Sequence, residues 1–87
     1  MGNRGNLIPD FVAETDSMIL MVETKKRDDL SSDEVKSKAA AAVRWCSHAS
    51  AHAATVGSKP WRYLLVPHDE IKESDRLTAF LRFELKA

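Results

Sequence analysis

Three side chains in the first third of the chain, Asp10, Glu23 and Lys25, are of the types that handle phosphate esters. Two carboxylates held side by side repel each other and gain from an oxygen-ligated divalent cation, Mg²⁺ or Mn²⁺. An amine beside such an ion can orient or deprotonate a water, or stabilise a pentavalent phosphate. Whether the three meet depends on the backbone between them. Residues 11–13 and 18–22 are β-favourable, and Asp16-Ser17 between them are turn residues, which predicts a hairpin. With a two-residue loop, Thr15 faces Met18 and Asp10 falls directly opposite Glu23, on one face with β-carbons about 5 Å apart. Lys25, two residues beyond Glu23, shares that face. The same residues have a plainer alternative, in which Asp10 caps a strand and Glu23 pairs with Lys25 or Lys26 at a solvated sheet end.

The elements that must position these groups can be read along the rest of the chain. Its 87 residues, 44% of them hydrophobic, predict one small domain: a flexible lead-in over residues 1–7 and a single unit over 8–87. Residues 18–22 carry no polar side chain, as expected of a strand covered on both faces. Ser31 and Glu34 have capping-box spacing, so a helix should start there and run to about Thr55, where Val56-Gly57 and Pro60 stop it. Val35, Ala39, Ala42, Val43, Cys46, Ala49 and Ala53 then form one stripe, whose small residues allow close approach to a sheet. Residues 61–66 read as a third strand ended by Pro67, and Ser74 as the cap of a last amphipathic helix carrying Leu77, Phe80, Leu81 and Leu85. The expected fold is α/β in the broad sense, an α+β core of order β-β-α-β-α with a small mixed sheet packed on an Ala-rich helix.

Composition narrows the function classes. Thirteen Lys and Arg balance thirteen Asp and Glu, so a histone-like or polybasic role is excluded. A single cysteine, Cys46, leaves no intramolecular disulfide, and no apolar run is long enough to cross a bilayer. The start of the chain lacks the apolar run of a signal peptide, so a soluble protein of the reducing cytoplasm, with no membrane partner, is expected. Lys26, Lys36 and Lys38 are candidate phosphate contacts, with solubilising lysines as the alternative. His48 and His52, four apart on the helix, lack a placed third ligand and read as solvent-facing. Cys46 reads as a buried thiol, Trp45 and Trp61 as core contributors, and His68-Asp69-Glu70 as a loop beyond the third strand, with a metal-binding or metal-supporting role as its alternative.

Pro9-Asp10 followed by Glu23-Thr24-Lys25 on consecutive strands resembles the PD-(D/E)xK nuclease signature. Four stretches resemble one branch of it more closely: Pro9-Asp10-Phe11-Val12, Val22-Glu23-Thr24-Lys25, the helix segment 38–46 and Trp61-Arg-Tyr-Leu-Leu-Val-Pro67. Together they look like the C-terminal endonuclease part of the Res subunit of type III restriction systems and related DEAD/DEAH-box helicase-like proteins, over about residues 8–70. The resemblance implies a restriction-endonuclease-like fold and Mg²⁺-dependent hydrolysis of DNA phosphodiesters. Asp10, Glu23 and Lys25 would be catalytic, Asp10 and Glu23 would hold the metal, and a helicase or modification subunit would be a partner. The family core runs α-β-β-β-α-β, whereas nine residues precede Asp10 here, and Lys26 stands where family members often have glycine. A truncated core with an open sheet edge is therefore expected, covered by pairing of two copies. Two functions follow: a nuclease module incomplete on its own, or a catalytically inert structural or interaction remnant that self-associates.

Overall fold

The turn residues set the hairpin. In the computed structural model, which describes residues 9–71 and 77–86, β1 (Phe11–Glu14) pairs antiparallel with β2 (Ile19–Lys25). Phe11 faces Val22 and Glu14 faces Ile19, the register of a two-residue loop. Thr15 closes that loop by donating its N–H to the Met18 carbonyl (2.8 Å), while its Oγ1 accepts from the N–H groups of Ser17 and Met18. A threonine before the turn thus supplies the order that Asp-Ser alone does not.

Beyond β2, Arg27–Ser31 forms a 3-10 turn and α1 spans Asp33–Val56. The helix cap is Ser32, whose side chain accepts from the Val35 N–H at 3.2 Å. This is one residue later than the Ser31–Glu34 spacing predicts, because Ser31 is taken up by the 3-10 turn. Gly57 ends α1 at φ 73°, a left-handed conformation that costs glycine nothing for want of a β-carbon. The crossover through α1 lays β3 (Trp61–Pro67) parallel to β2, with Ile19 beside Trp61 and Lys25 beside Pro67. A two-residue β4 (Glu84–Leu85) pairs antiparallel with the far side of β3, giving the order β1-β2-β3-β4. The chain is a small mixed α+β domain, a four-stranded mixed sheet with one long helix.

Alternation along β2 and β3 divides the core between the two faces of the sheet. Met21 and Tyr63 pack against Ala39, Ala42, Val43 and Cys46 of α1. On the other face Leu20, Val22, Leu64 and Val66 cluster with Phe80. The double cover expected for residues 18–22 is therefore met at Leu20, Met21 and Val22, all buried.

Three expectations are corrected. The last amphipathic helix is instead a 3-10 segment, Leu77–Phe83, and Leu85 belongs to β4. Seven residues are too few to gain much from α-helical cooperativity, whereas turning Glu84 and Leu85 onto the free edge of β3 satisfies their backbone groups at once. Ser74, its expected cap, and the lead-in over residues 1–7 lie outside the described residues. His68-Asp69-Glu70 is the short helix α2 (His68–Ile71), not a loop. Trp45 is 41% exposed and sets itself edge-on to Trp61, ring centroids 5.0 Å apart, so it covers the rim of the core instead of filling it.

Candidate functional site at the hairpin end

Glu23 and Lys25 lie on β2, two residues apart, on the face that carries Met21 and looks toward α1. The Glu23 Oε1 accepts from the Tyr63 hydroxyl at 2.5 Å. Tyr63 is 2% exposed and fixed among the α1 contacts, so the donor is rigid. Burial and the adjoining carboxylate hold its phenol protonated well above the usual range, so it remains a donor at any ordinary pH. The second oxygen, Oε2, has no partner among the described residues.

Asp10 sits in a bend just before β1, at the position the register places across from Glu23. In place of the expected meeting with Glu23 on one face, its carboxylate is turned along β2 to Thr24, whose side chain alternation puts on the face opposite Glu23: Oδ2 accepts from the Thr24 backbone N–H at 2.6 Å and from the Thr24 hydroxyl at 2.8 Å. The Thr24 Oγ1 also lies 3.0 Å from the His68 Nε2. Since Thr24 gives its hydroxyl proton to Asp10, His68 must donate through Nε2, which makes a chain from His68 through Thr24 to Asp10. The backbone N–H of Thr24 is the main influence holding the Asp10 carboxyl below its usual value; desolvation is the next largest and opposes it, and the Thr24 hydroxyl and the charges of Lys25 and His68 assist the lowering. A depressed carboxylate stabilises the fold above its unfolded pKa, and that contribution is lost as pH falls through the folded value. In a carboxyl NMR titration run with chelator, Asp10 should therefore titrate below 3.8, and Thr24→Val should move it toward that value. Titration of the wild type at or above 3.8 would show that the Thr24 contact does not persist in solution.

The oxygen donors fit a hard cation of the Mg²⁺ kind in one respect. Asp10 and Glu23 each keep one carboxylate oxygen without a partner among the described residues, and Mg²⁺ is commonly held by one or two carboxylates with waters and a substrate phosphate completing its shell. An all-protein cage does not fit: no group of three or more His, Cys, Asp or Glu among the described residues is placed to hold a metal ion.

Most of the remaining polar candidates are committed elsewhere. Glu14, also on β1, is held by Lys59 at 2.5 Å. Asp69 takes a two-pronged bond from Arg27 (3.1 and 3.0 Å), and Glu70 lies between Arg27 and Arg82. Lys38 pairs with Glu34 one helical turn back at 3.4 Å, while Lys26 and Lys36 are exposed. His48 and His52 point outward from α1, as expected. Cys46 is buried and its thiol is pushed up to about 11 by desolvation, which leaves it protonated and unreactive at neutral pH.

Sequence reasoning missed Tyr63 and Thr24 as partners of the carboxylates, and the contact of His68 with Thr24. Tyr63 lies forty positions along the chain from Glu23, and no local pattern marks it. Thr24 was within reach, since alternation puts it opposite in face to Glu23 and at the end of β1. Comparisons of the chain with protein-family models, with curated proteins and with solved structures find no match. The fold and the hairpin end therefore carry the functional argument.

Proposed function

We propose that the chain is a metal-dependent DNA phosphodiesterase module of restriction type, acting within a larger assembly that includes a helicase or modification subunit. The observation that supports this reading most is the hairpin register, which brings the Pro9-Asp10 end of β1 to the Glu23-Thr24-Lys25 end of β2. Asp10 and Glu23 would hold Mg²⁺ or Mn²⁺, an ion that supplies Lewis-acid polarisation of phosphate and a more acidic water. The chain's own groups do the rest. Tyr63 fixes the Glu23 carboxylate, Thr24 fixes that of Asp10, and Lys25 sets a positive charge where a water meets the scissile phosphate. Lys26 and Lys36 offer exposed charges to the DNA backbone. Lys38 can exchange Glu34 for phosphate at little cost, because an exposed pair of this kind is worth well under ~1 kcal/mol.

Nicking of supercoiled plasmid in Mg²⁺ or Mn²⁺, with calorimetric titration of the ion alongside, tests the proposal. Lys25→Ala should lower nicking by about a hundredfold or more while metal binding persists, since the amine aids the water and is no ligand. Nicking that is unchanged in Lys25→Ala would reject it.

A second reading has its own observation. Among the described residues β1 is an edge strand, paired by β2 alone, and its Phe11 and Val12 are 42% and 51% exposed. An open apolar edge is a template for a second copy, as an inert remnant that self-associates would need. On that reading light scattering should give twice the 9.7 kDa chain mass, and Val12→Lys should return the monomer.

A further inference from the structure

A trough of about 710 Å³ lies on the α1 side of the sheet, lined by α1, the Arg27–Ser31 turn, β3 and the C-terminal segment ending at Lys86. Its floor is aliphatic: Ala39 and Val43 from α1, Leu65 and Pro67 from β3, and Leu85 from β4. Its charged lining is Arg27, Lys36, Arg44, Arg82 and Lys86 against one acid, Glu84. In a chain with thirteen charges of each sign, five against one is a strong local excess.

Ion pairing sharpens the imbalance. Glu84 is engaged by Arg62, and Arg27 and Arg82 are engaged by Asp69 and Glu70. Lys36, Arg44 and Lys86 have no acidic partner among the described residues. Three uncompensated cations around an apolar floor are the complement of a molecule that is aliphatic along its body and anionic at one end.

We infer that this trough binds a small amphipathic anion, an alkyl chain bearing one phosphate or carboxylate head, with the chain on Val43, Leu65 and Leu85 and the head at Arg44 and Lys86. A volume of this size lies in the range of pockets that take small organic ligands. A nucleobase fits the floor poorly. Phe83 is its one aromatic side chain, and the Arg82 guanidinium already lies over that ring, 4.6 Å from its centre. A nucleic-acid backbone would leave the aliphatic floor uncovered. Asp10, Glu23 and Lys25 do not line the trough, and Lys36 is the one lining residue shared with the DNA contacts proposed above; the head site at Arg44 and Lys86 is separate from them.

Calorimetric titration of the full chain with octyl phosphate, kept below the concentration at which it forms micelles, tests this. One-to-one binding is expected, with octanol and inorganic phosphate each weaker by about tenfold or more, the factor that one charge-assisted hydrogen bond supplies. Arg44→Gln and Lys86→Gln should each weaken octyl phosphate about tenfold. Ala40→Trp, at an exposed α1 position that lines the trough, should abolish binding by filling it, with an unchanged melting temperature as the check on folding. Octanol binding as tightly as octyl phosphate would overturn the inference. So would full affinity in a folded Ala40→Trp, affinity for anionic vesicles without affinity for octyl phosphate, or displacement of octyl phosphate by duplex DNA.

Discussion

Leu64→Ala should cost roughly 3 kcal/mol and lower the melting temperature by roughly 10–20 °C. Leu64 is wholly buried on β3, beside Val22 of β2 on one side and Glu84 of β4 on the other, in the cluster that Phe80 covers. Truncation there removes transfer energy and leaves a cavity that three paired strands are too constrained to close. A domain of this length has a total stability of roughly 5–10 kcal/mol, so this one change consumes a large part of it. Val12→Ala is the matched reference, because Val12 is 51% exposed on the edge strand and should change stability by about 0.5 kcal/mol or less. Denaturant melts of the two variants check the strand order directly. Similar losses at the two positions would contradict β3 as an interior strand.

Mg²⁺ or Mn²⁺ should raise the melting temperature of the wild type, and Glu23→Gln should remove the rise. A ligand that binds the folded state alone stabilises it by about 2.7 kcal/mol at a hundredfold excess over its dissociation constant, which for this size is roughly 10–20 °C. Glu23→Gln keeps the shape of the side chain and its acceptor for the Tyr63 hydroxyl but removes the charge. Glu14→Gln is the control, since Glu14 is held by Lys59 and should leave the metal response intact. Equal melting temperatures of the wild type in Mg²⁺, Mn²⁺ and chelator would mean that the two carboxylates serve the end of the hairpin and nothing more.

What could be read from the sequence was set by local chemistry. The hairpin register followed from Asp16-Ser17 and the lengths of the flanking runs, and every pair from Phe11–Val22 to Glu14–Ile19 obeys it. The helix stop followed from Gly57, and its packed face from Ala39, Ala42, Val43, Cys46 and Ala53. The errors lie where two local signals compete or where the partner is distant. Ser31 and Ser32 are both good caps, and the choice fell to the 3-10 turn that absorbs the first. Leu77, Phe80 and Leu81 have helical spacing, but a two-residue strand such as Glu84–Leu85 is too short to leave a period of its own. At the site, the register that sets Asp10 across from Glu23 was legible, but the turn of the Asp10 carboxylate to Thr24, on the other face from Glu23, was not. The bonds that orient the two were not, because Tyr63 and His68 arrive from β3 and α2, some forty residues downstream.

The parallel pairing of β2 with β3 also bears on how the chain emerges during synthesis. Ile19 must wait for Trp61 and Lys25 for Pro67, with the whole of α1 made in between. Until then β2 has β1 beside it on one edge, its other edge unpaired, and Leu20, Met21 and Val22 open to water on both faces. Such non-local closure is slow compared with hairpin or helix formation. A ribosome-bound intermediate ending near residue 57 would thus be a sticky hairpin with a helix attached, suited to holdase chaperones, and arrival of β3 would end that exposure in one cooperative step.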